Sequence, residues 1–158
     1  MIQIVSSVGL MIGLLVSIVL IVFAIKQKSA NWLLGVSLIF LWYALVTTEL
    51  YRTGAIVDFP AFSRTGNIAG FLVTPFLYFF VKQILYRGES WSKKHWWVFV
   101  PAIFYLVDYF PYFVLPNVDK IAFIQEQQLG VNNFKYAEGW ITTNWLQYHF
   151  RQFWSLLF

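Results

Sequence analysis

Cysteine is absent from the 158 residues, and charge is scarce: Asp, Glu, Lys and Arg together make up 11%. Without thiols there is no disulfide, no thiolate metal site and no cysteine nucleophile. Soluble domains carry roughly 25% charged residues, so this chain lacks the polar groups needed to coat a water-facing surface. Histidine is limited to His95 and His149. No His-Glu-x-x-His pattern, paired carboxylates or glycine-rich phosphate loop occurs, and no spacing sets a histidine and an acid beside a reactive serine. These absences argue against an enzyme, a metal centre and a resident cofactor. Internal repeats and low-complexity stretches are also missing.

What is present is apolar and aromatic. Hydrophobic residues reach 59% and aromatics 22%, with eight Trp. Lipid is then the expected solvent, and a span needs about 20 apolar residues. Four runs meet that length: 4–25, 32–50, 67–85 and 96–115. A further helical pattern resumes near Trp145, where Leu146, Phe150, Phe153 and Leu157 share a face. That segment is too short to cross by Phe158, so the expectation is a chain truncated within a fifth span. The fold class implied is all-α, a polytopic transmembrane helix bundle of four complete spans plus the start of a fifth. The first run is not read as a signal peptide, because no basic residue precedes it and Lys26 and Lys28 follow it. A short surface helix lined by Ile121, Ile124 and Leu129 is expected in the polar stretch 116–144.

The distribution of basic residues sets an orientation. The loop holding Lys26 and Lys28 and the region from Lys82 to Lys94 carry six Lys and Arg, against four (Arg52, Arg64, Lys120, Lys135) in the alternate loops. Basic loops face the cytoplasm, which places the N-terminus outside a plasma membrane. Trp32, Trp91, Trp96 and Trp97 then fall at the inner interface, Trp140 and Trp145 at the outer one. The two histidines fall on opposite sides.

Asp108 is the one ionisable residue well inside a run, and such residues are functional candidates by default. One reading makes it a proton- or ligand-binding carboxylate in the bundle interior. The plainer reading is an acid neutralised by burial, or hydrogen-bonded to a tyrosine such as Tyr105 or Tyr109. Pro75, Pro101 and Pro111 mark helix bends. Gly9, Gly13 and Ser17 recur every four residues, a spacing that lets helix backbones approach closely. They serve either packing against a neighbouring span or a homodimer contact. The basic loop suits anionic lipid headgroups.

Several stretches together carry a family likeness. Asn31-Trp32-Leu33-Leu34-Gly35 opens the second span after a short basic loop, and Phe59-Pro60 precedes the third. Thr74-Pro75-Phe76-Leu77-Tyr78-Phe79-Phe80-Val81-Lys82 is similar to a Gly-Pro-Leu-Leu-Tyr-x-Tyr-Val-Arg stretch. Val98-Phe99-Val100-Pro101 is similar to a His-Phe-x-Pro stretch, with Val98 in place of the histidine and Thr74 in place of the glycine. In this order, up to about Gln125, the chain resembles the N-terminal membrane region of bacterial membrane-bound AraC-family transcriptional regulators of Bacteroidetes type. The resemblance implies a multi-span sensor in the bacterial inner membrane. It would act through a cytoplasmic helix-turn-helix DNA-binding domain, of which these residues contain no trace. The competing expectation is a small integral membrane subunit of a transporter or other complex, which would line several spans with polar residues.

Overall fold

The computed structural model describes residues 2–27, 29–86, 93–128, 139–142 and 149. Six helices are arranged along them: α1 (Ile2–Gln27), α2 (Asn31–Thr53), α3 (Thr65–Leu85), α4 (Val100–Asp108), α5 (Phe110–Phe113) and α6 (Asn117–Gln128). No strand occurs among the described residues. The first three helices are long and apolar enough to cross a membrane. At 1.5 Å per residue even α3 reaches about 30 Å, the thickness of the hydrocarbon layer. Met11, Leu15 and Ile25 on α1 are 73%, 64% and 66% exposed. A surface of this kind is stable in lipid and not in water.

Because lipid tails are as apolar as leucine, close packing of backbones must hold such helices together. Small residues supply it here. Gly35 of α2 lies against α1, where a Cβ would stand 2.5 Å from Ile21 Cγ1 and 3.1 Å from the Ser17 carbonyl. Gly54 adopts a left-handed conformation (φ 79°) and ends α2, its N–H donating to the Tyr51 carbonyl, a conformation that favours glycine. Gly66 of α3 then rests on Thr47 of α2, whose Cβ would be 2.8 Å from an added Cβ. Further along, Ser37 Oγ donates to the Val73 carbonyl at 3.0 Å, and Phe40 stacks on Phe76 with centroids 5.4 Å apart. Pro75 is buried inside α3 without interrupting it.

The fourth apolar run is not the continuous helix expected over 96–115. It begins as a 3-10 turn (Lys93–Phe99), continues as α4, pauses at Tyr109 and resumes as α5. The prolines account for this division: Pro101 and Pro111 each occupy the first turn of a helix, where a missing N–H removes no hydrogen bond. The segment still runs antiparallel to α3. Phe99 packs on Phe76 and Phe79, Tyr105 on Phe71, and the Tyr112 hydroxyl donates to Ser63 Oγ just before α3. α6 folds across the connection between α2 and α3, burying Phe123 and Ile124 beside Ile56 and Tyr112. The expected surface helix is therefore present; Ile124 is in its buried face, whereas Leu129 lies outside the described residues.

Two chemically distinct ends result. One end holds the α1–α2 turn, the last turn of α3 and the 93–99 turn, bringing Lys26, Trp32, Lys82, His95, Trp96 and Trp97 to one level. The other, the cap, gathers the α2–α3 connection, Asp108, α5, α6 and residues 139–142. The fifth run from Trp145, His149 apart, lies outside the described residues, as does Trp91.

Candidate functional site

The cap is where polar and charged side chains converge, and Asp108 sits within it. This residue closes α4 and is 1% exposed. Its Oδ1 accepts the backbone N–H groups of Ile141 (2.6 Å) and Thr142 (3.2 Å). Its Oδ2 accepts the Thr142 hydroxyl, and its own carbonyl accepts the Trp140 N–H at 2.9 Å. Hydrogen bonds to a carboxylate are among the stronger ones, and these offset the loss of its hydration. Gly139 completes the clasp: a Cβ there would lie 2.6 Å from Asp108 Cγ and 2.8 Å from Oδ1. Asp108 thus ties the segment 139–142 to the end of α4. It stands near the level of the start of α3, since Tyr105 and Tyr112 on either side of it bond Asn67 and Ser63. This is nearer the bundle end than its place midway along the fourth run suggested.

Arg64 forms the second focus. It takes a left-handed conformation (φ 64°), unfavourable for a residue with a Cβ, in the turn that starts α3. Its guanidinium lies over three rings: Tyr109 at 4.4 Å, Phe123 at 4.9 Å and Tyr112 at 5.1 Å. Cation–π contacts contribute about 0.5–2 kcal/mol each according to desolvation, enough to hold the strained backbone. The cage draws on α5, α6 and the residue linking α4 to α5, so one cation ties these three to the start of α3. Ser63 beside it joins two phenols, with Tyr51 at 2.5 Å and Tyr112 at 2.6 Å. Lys120 Nζ caps α5 by donating to the Phe113 carbonyl. Nothing in the spacing of these residues announced either Arg64 or Ser63.

The remaining sequence candidates divide. Ser17 is fully buried, donating to the Gly13 carbonyl at 2.7 Å, on the side of α1 that meets Gly35. It is used in packing within the chain. Gly9, Gly13 and Ser17 all line a groove of about 550 Å³ between α1 and α2, with Leu10, Trp42 and Leu45. Glu49 stands in its lining and pairs with Arg52 through both carboxylate oxygens. Among the described residues no group of three His, Cys, Asp or Glu gathers as a metal site would require.

No protein-family model, curated protein or solved structure matches the chain. Three of the four stretches singled out in the sequence lie together in the fold, Phe59-Pro60 not among them. Leu33, Phe79 and Val98, one from each of three stretches, form a single buried cluster, flanked by Trp32, Phe76, Tyr78, Phe80 and Phe99.

Proposed function

We propose that the chain is the membrane-embedded sensory region of a transcriptional regulator, acting through an AraC-type DNA-binding domain beyond these residues. The convergence of the Asn31–Gly35, Thr74–Lys82 and Val98–Pro101 stretches on one cluster is the observation that carries it. The reading takes four crossings, with the N-terminus and the cap outside. The fourth crossing is supported by the pairing of residues 95–112 along α3, despite its divided helix. The cap would then meet the signal. A ligand shifts such a bundle only by binding two of its arrangements unequally, and the Asp108 clasp and Arg64 cage are contacts that can be made or broken as units. Dimerisation, in this reading, would use Gly9, where an added Cβ meets nothing, while Gly13 faces Trp42 and Ser17 is buried within the chain.

Reading the gene beyond the codon for Phe158 tests the proposal. An open frame leading through further apolar segments into a helix-turn-helix domain supports it. A stop codon directly after Phe158, with a stable short protein in the membrane, removes the effector and with it the regulator. The chain would then be a small membrane subunit.

A further inference from the structure

Glycine weakens a helix interior relative to alanine, and it is used where something must come close. At Gly35 of α2 that something is α1. At Gly9 and Gly13 of α1 it is not α2. An added Cβ would meet nothing within 4 Å at Gly9, and at Gly13 only Trp42 Cδ1 at 3.8 Å, an ordinary contact. These two glycines hold space open beside α2, and that space is the groove of about 550 Å³ between the two helices. It opens sideways past Val16 and Leu45, which are 44% and 51% exposed.

What fits the groove follows from its shape and polarity. Its lining runs along α1 from Ser6 to Ser17, about 16 Å at 1.5 Å per residue, or half of the roughly 30 Å hydrocarbon layer. Spread over that length, the volume gives a section of roughly 35 Å². That is less than half the section of a helix about 10 Å across, and ample for one extended hydrocarbon chain with neighbours about 4 Å away. Polar groups gather at one end only, where Ser6 faces Thr48 and Glu49 near the close of α2. The Glu49 carboxylate is already matched by Arg52, so no charge is left over, and the Thr48 hydroxyl donates to the Ala44 carbonyl. Their oxygens keep lone pairs, so this mouth can still accept hydrogen bonds. At the other end the Ser17 hydroxyl is spent on the Gly13 carbonyl. We propose that the groove binds a single-chain amphiphile with an uncharged, hydroxyl-bearing head, of the monoacylglycerol kind. The chain lies along Gly9 and Gly13 within one leaflet, and the head donates to Glu49 and Thr48. The site does not depend on the regulator reading. Occupation of the groove and pairing of two copies through Gly9 exclude one another.

The test places the full chain in phosphatidylcholine nanodiscs with a monoacylglycerol that carries a photoreactive diazirine in its chain. After illumination, labelled peptides are mapped by mass spectrometry. Label should fall on α1 and α2 around Gly13 and Trp42, and excess unlabelled monoacylglycerol should displace it. A fatty acid with the same photoreactive chain has an ionised head that cannot donate, and should label there about tenfold less. Gly9→Leu puts a side chain in the groove and should lower labelling about tenfold. Gly70→Leu on α3, where an added Cβ also meets nothing, should leave it unchanged. Leu45→Trp closes the mouth from α2 and should act as Gly9→Leu does, which covers a Gly9 variant that fails to fold. Label spread evenly over the three long helices, equal labelling by the fatty acid, or equal effects of Gly9→Leu and Gly70→Leu would overturn the site. Crosslinks between chains that added monoacylglycerol does not displace would overturn it too, giving the groove to a second copy.

Discussion

Replacing Gly139 with alanine should destabilise the protein only while Asp108 is present. The added methyl would stand 2.6 Å from Asp108 Cγ and 2.8 Å from Oδ1, well inside contact distance. The carboxylate cannot swing aside, because Ile141, Thr142 N–H and the Thr142 hydroxyl hold both oxygens. Overpacking of this kind costs about 1–3 kcal/mol. Asp108→Ala removes the acceptor of two part-buried N–H groups and of the Thr142 hydroxyl, bonds to a charged group worth about 1.5–3 kcal/mol each. Relief from burying a carboxylate returns part of this, leaving a net loss of about 2–4 kcal/mol. In the Asp108→Ala background the collision is gone, so Gly139→Ala should change stability by less than about 0.5 kcal/mol. The predicted coupling is therefore about 1–3 kcal/mol, opposite in sign to the sum of the single losses. Unfolding of the four proteins in mixed micelles, followed by tryptophan fluorescence, measures it. Additive losses would show that Gly139 is needed for some reason other than the carboxylate, and the clasp would lose its meaning as a unit.

Two further predictions concern packing and orientation. Gly66→Ala should loosen α2 from α3 by about 1–3 kcal/mol, and a Thr47→Gly change should remove that collision, because the Thr47 side chain, its Cβ included, is what the new methyl strikes; unfolding curves of the single and double variants decide, the double losing less than the sum of the two singles. Since the chain has no native cysteine, one introduced at the exposed Asp58 should react with a membrane-impermeant maleimide on intact cells, and one at the exposed Gln27 only after permeabilisation. The reverse pattern would invert the proposed topology.

How far the sequence could be read follows from the range of each interaction. The long helices were legible because burial in lipid is a property of composition: runs 4–25, 32–50 and 67–85 appear as Ile2–Gln27, Asn31–Thr53 and Thr65–Leu85. The fourth run looked equally apolar, but a hydropathy pattern is blind to where two prolines each begin a new helix. Asp108 was recognised as unusual from its position alone. Its partners lie 33 and 34 residues onward, two of them backbone groups that no side-chain pattern advertises. Arg64 reads in sequence as a loop cation, and only the fold brings Tyr109, Tyr112 and Phe123 around it. The contact between Lys82 and His95 was half visible, since both residues flank one basic connection, but their meeting depends on α3 and the 93–99 turn packing together.

The spacing of contacts along the chain also orders its assembly. α1 packs chiefly on α2, and α2 on α1 and α3, so each helix leaving the ribosome finds its main partner already made. The cap obeys the opposite rule. Ser63 waits for Tyr112, Arg64 for Phe123, and Asp108 for Ile141 and Thr142. During synthesis the bundle can therefore stand in the bilayer with its acid and its guanidinium still facing water, and closure of the cap is the step that withdraws them.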